Sequence, residues 1–322
     1  MIENNNIKSN LPSSFGEGAG VRLVRPWILA ARPKTLTGAM IPVILGGALA
    51  YHDGVLNWAL VLCCAFFAGF MQIAANMIND LHDFEKGTDR EDRLGPERAC
   101  AQGWITPQAM RRGIAVVLCL ASLAGFAALW LCWKELPYHG IELLATGIAC
   151  ILFAFLYTYG LSYLGLGDVL VLVFFGLVPV CGTYYIQAHQ ITTPAILLGA
   201  ISGISIDALL VINNYRDREQ DRISGKRTLV VLLGERFGLF HYLAISIISC
   251  WLSILLCYNI GGKLLYFQIV TMVYLSLHIY AWTKMREIRS GKALNRILGL
   301  TSINMFLFAL MLAVAISITN KL

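Results

Sequence analysis

Apolar positions in this chain come in long unbroken runs. Nine of them, each roughly 20 residues long, cover about 27–51, 56–78, 113–133, 141–158, 169–188, 193–212, 239–258, 264–282 and 301–319. A continuous run of this length predicts a helix that crosses a bilayer, because the backbone polar groups must be satisfied inside the segment. The strands of a membrane barrel would alternate instead. The pattern predicts an all-α, polytopic membrane protein of about nine transmembrane helices. Residues 1–25, rich in Asn, Ser and Gly, predict a disordered tail without the apolar core of a signal peptide. Residues 26–322 then form a single membrane domain.

Two runs end in acidic clusters. The sixth leads into Asn213-Asn214-Tyr215-Arg216-Asp217-Arg218-Glu219-Gln220-Asp221-Arg222 and on to Gly225-Lys226-Arg227-Thr228. On a helix that continues past the membrane surface, Asn213, Asp217 and Asp221 fall at i, i+4 and i+8, on one face. Such oxygen-bearing side chains suit Mg²⁺, a hard ion that prefers carboxylates, water and phosphate oxygens. Carboxylates interleaved with the Lys226-Arg227 pair suit a diphosphate bridged by metal. One such stretch is also what a salt-bridged helix end looks like. The second run ends the same way, in Asn79-Asp80-Leu81-His82-Asp83-Phe84-Glu85-Lys86-Gly87-Thr88-Asp89. Here Asn79 and Asp83 are four apart, and so are Asn76 and Asp80, so spacing alone does not say which Asn leads. Two copies of the pattern, four spans apart, favour a shared site over two accidents of solvation. They also suggest a tandem four-helix unit plus a final helix, with the clusters facing each other across a central cavity.

Composition fits the membrane reading: 57% of the 322 residues are hydrophobic and 14% charged, where a soluble domain carries about 25% charge. The net charge of +6 matters through its placement. Twenty of the 25 Lys and Arg lie before residue 27 or in 80–112, 214–236 and 283–296, and only Lys134, Lys263 and Lys321 lie on the other side. The excess of positive charge on cytoplasmic loops then puts the N-terminus and both clusters in the cytoplasm, in the cell's inner membrane. The expected surroundings are lipid, with no nucleic-acid partner. The nine Cys form no metal-ligand spacing and read as packed thiols. Arg32 and Lys34 stand oddly early in the first run. His82 reads as a polar flank, and His241 and the other His residues lie outside the clusters.

With these motifs the chain resembles the UbiA superfamily of intramembrane prenyltransferases. Within that superfamily it is most similar to the members that prenylate 1,4-dihydroxy-2-naphthoate. The segments that carry this are Ala31-Arg32-Pro33-Lys34-Thr35-Leu36, the Asn79–Asp89 stretch, Gly95-Pro96-Glu97-Arg98, Leu164-Gly165-Leu166-Gly167-Asp168 before Phe174-Phe175-Gly176, and Asn213-Asn214-Tyr215-Arg216-Asp217 running to Gly225-Lys226-Arg227-Thr228-Leu229. There are departures. Gly87 stands where the superfamily often has a third carboxylate, with Asp89 displaced. Tyr157 is followed four later by Leu161, where many relatives carry Lys.

The resemblance implies transfer of a polyprenyl chain from its diphosphate to 1,4-dihydroxy-2-naphthoate, with loss of the carboxylate, giving demethylmenaquinol. Metal ligands would be Asn79, Asp83, Asp89, Asn213, Asp217 and Asp221 around Mg²⁺. Arg98, Lys226 and Arg227 would bind the diphosphate, and Arg32 and Lys34 the acceptor carboxylate. Asp83 and Asp217 would carry the chemistry, with Asp80 assisting as a base. Phe155, Tyr159 and Phe174 are candidates to line the chamber. Alternatives are another acceptor, such as 4-hydroxybenzoate, a chlorin or a haem ring, or a transporter. A transporter predicts ionisable residues deep in several spans, and here Asp207 is the main one.

Overall fold

The computed structural model describes residues 19–87, 94–95, 97–161 and 164–319. Among them, nine helical spans are long and apolar enough to cross a membrane, and no strand occurs. The first span is broken. Helix α1 (Ala19–Ala31) ends where Arg32 adopts φ 52° and Pro33 follows, and after a short 3-10 turn (Pro33–Thr35) α2 (Leu36–His52) continues. Helix α1 thus begins within the segment expected to be a tail. Proline removes a donor and restricts the residue before it, so a break here is local chemistry. The break is fastened from outside: Asn76 Nδ2 donates to Ala31 O at 2.9 Å and to Thr35 Oγ1 at 2.8 Å.

Then come α3 (Trp58–Glu85), α4 (Pro107–Cys132) and α5 (Ile141–Tyr159). Asn57 caps α3 and Thr106 caps α4 through side-chain oxygens. The fifth span is composite: α6 (Gly167–Leu172), a widened π-type turn (Val173–Leu177) and α7 (Val178–Ala188). The chain closes with α8 (Thr193–Ile223), a short α9 (Leu229–Leu233), α10 (Glu235–Asn259), α11 (Leu264–Ile288) and α12 (Leu294–Thr319).

Helix α8 is the axis of the bundle and mostly buried, whereas α5 is hardly buried and presents Ile148, Leu152 and Leu156 outward. In lipid an outward apolar face needs no cover, so the central helix must earn its place through close packing and not through hydrophobicity. Small residues provide it. A Cβ on Gly203 would come within 2.7 Å of Leu172 Cα and O, and one on Gly176 within 2.4 Å of Gly199 O. The widened turn therefore lies backbone to backbone on α8. One large core joins α2, α7, α8 and α12 through Ile41, Leu45, Tyr184, Leu198, Phe308 and Leu312.

Candidate active site

Helices α3 and α8 carry their acidic motifs toward their C-terminal ends, and these ends lie within electrostatic range of each other. The Asp83 carboxylate lies within electrostatic range of Asp221, and Lys226 within range of His82. Three basic segments converge there as well. Arg216 NH1 donates to Asn295 Oδ1 at 2.7 Å, Asn295 Nδ2 donates to Leu94 O at 2.9 Å, and Arg218 NH1 donates to Arg289 O at 2.9 Å.

Packing separates the two overlapping pairs in α3. Asn76 holds the break between α1 and α2. Asp80, 1% exposed, accepts from Ala99 N (2.9 Å) and Cys100 N (3.1 Å), so both carboxylate oxygens serve the loop that carries Arg98. Asp80, expected to assist as a base, has both carboxylate oxygens taken up by these backbone N–H groups. Asn79 and Asp83 occupy the neighbouring face, Asn79 half-buried and Asp83 buried. Buried Arg98 bridges to Asp83 through NH2.

In α8, Asn213 donates its amide to Leu209 O at 2.9 Å, which turns its carbonyl oxygen away from its own helix. Asp217 is gripped by its neighbour Arg216, and Asp221 pairs with Lys226 at 3.8 Å. Each of the three carboxylates thus faces a cation: Arg98, Arg216 or Lys226. The local negative charge is counterbalanced within the protein, as charges away from bulk water require. Arg227 is exposed, and its backbone oxygen packs against Gly165, where φ is +77°. Arg32 is half-buried and Lys34 exposed, both in the turn that Asn76 fastens. The Tyr159 ring lies 4.3 Å from His82, and Phe174 packs on Phe153 at 4.5 Å. Phe155 packs in the core around α3 and α4. Asp89 falls outside the described residues.

A small cavity of about 60 Å³ opens beside the second motif, lined by Tyr157, Asp168, Leu210, Asn214, Lys226 and Thr228. Asp168 in its wall belongs to a group that the sequence did not bring together. Asp168 at the start of α6, Asp207 in α8 and His241 in α10 place ligand atoms within 4.8 Å of one another. The only signals in the sequence were Asp207, a carboxylate inside an apolar run, and Asp168, in a Gly-rich linker. His241, set aside as outside the clusters, is the third member.

This is a helical, multi-span membrane protein whose two acidic helix ends lie within electrostatic range of each other. Residues 39–310 match the UbiA prenyltransferase family, and the chain belongs to it. It is similar to a 1,4-dihydroxy-2-naphthoate octaprenyltransferase from Escherichia coli K12, with 41% identity over 212 residues, 65% of this chain and 68% of that one. A 1,4-dihydroxy-2-naphthoate octaprenyltransferase from Mycobacterium tuberculosis is 32% identical over 295 residues, 90% of this chain and 96% of that one. A UbiA homolog from Archaeoglobus fulgidus, solved bound to GPP and Mg²⁺, shares the fold at a TM-score of 0.62 and 14% identity, covering 91% of this chain and 99% of that one.

Proposed function

We propose that this protein transfers a polyprenyl chain from polyprenyl diphosphate to 1,4-dihydroxy-2-naphthoate, with decarboxylation to demethylmenaquinol, in menaquinone biosynthesis. The observation that carries the reading is that Asp83 and Asp221, at two different helix ends, lie within electrostatic range of each other and each pairs with a cation, Arg98 or Lys226. The naphthoate-acting relatives, one of them matched over 90% of this chain, support the acceptor.

An allylic C–O bond ionises only if the departing diphosphate is neutralised as its charge develops. The donors fit Mg²⁺: Asp83, Asp217 and Asp221 are hard carboxylates, and Asn79 and Asn213 add amide oxygens. When bound there, the metal supplies Lewis-acid stabilisation of the leaving group. Arg98 and Lys226, already beside two of these carboxylates, hydrogen-bond the diphosphate, with Arg227 at the rim. Arg32 and Lys34 attract the acceptor's carboxylate. The apolar walls keep water from the allyl cation, and the isoprenoid tail lies among lipid-facing helices. Twenty of the 25 Lys and Arg lie before residue 27 or in 80–112, 214–236 and 283–296, a sequence bias that supports a cytoplasmic site and N-terminus in the cytoplasmic membrane.

The test is product mass analysis with purified protein, 1,4-dihydroxy-2-naphthoate, Mg²⁺ and a mixture of prenyl diphosphates. Prenylated product lighter by CO₂ is expected; turnover only with 4-hydroxybenzoate rejects the acceptor.

A further inference from the structure

Asp207 is 5% exposed, and its Oδ1 has no hydrogen-bond partner among the described residues. The same holds for His241 Nδ1. The other ring nitrogen, Nε2, lies 3.4 Å from Asp207 Oδ2, and Nδ1 lies 3.7 Å from Asp168 Oδ1. Two carboxylates and an imidazole are therefore gathered between helices, supplied by α6, α8 and α10. A buried carboxylate with one oxygen left unpaired is costly, and its persistence points to a job. The group is not sealed off. Asp168 opens onto the cavity shared with Asn214 and Lys226. Asp207 lies six residues before Asn213, about 9 Å along the helix axis, so the group sits below the second motif on its own helix.

We infer that Asp168, backed by His241 and Asp207, is the proton acceptor for the hydroxyl of the aromatic acceptor. This rests on the prenyl-transfer reading and supplies a base that the acidic motifs do not, since their carboxylates face cations and Asp80 holds a loop. The hydroxyl O–H bond breaks and its proton moves to Asp168. The phenolate raises electron density on the adjacent ring carbon that bears the carboxylate. That carbon bonds to the allylic carbon as the C–O bond breaks, its electron pair leaving on the diphosphate. Loss of CO₂ returns an electron pair to the ring, and the proton passes from Asp168 back to the ring oxygen. His241 bridges the two carboxylates and lets Asp207 share the proton while it is held. The groups facing Asp168 are Asp207 from α8, His241 from α10 and Tyr157 from α5, with Lys226 across the cavity.

The experiment separates ionisation from capture. Full-length wild type and Asp168→Asn, in detergent with Mg²⁺, are given prenyl diphosphate alone and then with phenolic acceptors of graded hydroxyl acidity. Asp168→Asn is expected to keep prenyl diphosphate binding and slow hydrolysis without acceptor, and to lose about 100-fold or more in transfer, as removal of a general base does. Its remaining transfer should rise steeply with acceptor acidity, while wild type responds weakly. Asp207→Asn should lose about 10-fold and show the same steepened dependence; it carries the test if Asp168→Asn does not fold. Wild-type transfer rates in Asp168→Asn overturn the proposal. So does parallel loss of hydrolysis and transfer, or a bound transition metal that disappears in Asp207→Asn. If wild type ignores the naphthoate but uses another phenol, the acceptor assignment fails, while the ratio of transfer to hydrolysis with that phenol still decides the role of Asp168.

Discussion

Arg216 holds the carboxylate of its own neighbour Asp217 with two hydrogen bonds, Nε to Oδ1 at 2.7 Å and NH2 to Oδ2 at 2.6 Å. Its third arm reaches Asn295 at 2.7 Å. A planar guanidinium fixed at both ends sets the direction of the carboxylate, which a lysine's point charge does not. Arg216→Lys should therefore behave almost like Arg216→Ala. Both are expected to lower turnover about 10–100-fold, as loss of a ligand's supporting partner does. Asn295→Ala should fall nearer the lower end. Steady-state prenyl transfer against Mg²⁺ concentration checks this, with a raised metal requirement in each variant.

Asp83→Asn and Asp217→Asn keep shape and remove charge. Each is expected to cost on the order of 10²–10³ in turnover, and chelation of divalent ions should abolish transfer in wild type until Mg²⁺ is restored. Full transfer by either variant would sever the link between these carboxylates and the leaving group.

Asp80→Ala tests positioning against catalysis. It strands two buried N–H groups, Ala99 and Cys100, at about 1–3 kcal/mol each. A clear drop in the melting temperature of the detergent-solubilised protein is expected, together with weaker diphosphate binding as the Arg98 loop loosens. A base would show the reverse: normal melting, lost turnover.

At Gly165, φ is +77° and a Cβ would stand 2.7 Å from Arg227 O. Gly165→Ala combines a left-handed backbone penalty of about 1–2 kcal/mol with a clash against backbone. The expected result is lower thermal stability and a raised KM for the prenyl diphosphate, because the segment carrying Lys226 and Arg227 is pushed away. Gly225→Ala, also at positive φ but with open space around its Cβ, should affect stability without the same KM change.

The spans were legible because bilayer thickness dictates how long an apolar run must be, and nothing in the packing can override that. The break at Arg32-Pro33 was not, since it is sustained by Asn76, 41 residues from Thr35. Spacing in α3 offered two equivalent pairs. Only the partners told them apart: Asn76 and Asp80 turn to backbone groups of other segments, while Asp83 turns to Arg98. The Asp168, Asp207 and His241 group was invisible for a related reason. Its members come from three helices and share no spacing, so nothing short of the folded bundle unites them.

Asn295 has an implication for biosynthesis. It binds Leu94, 201 residues earlier in the chain, and Arg216 as well. A ribosome that has finished eight spans has already made both acidic motifs, yet the clasp between their two neighbourhoods has not been translated. The newborn protein stays unlatched until its ninth helix enters the bilayer.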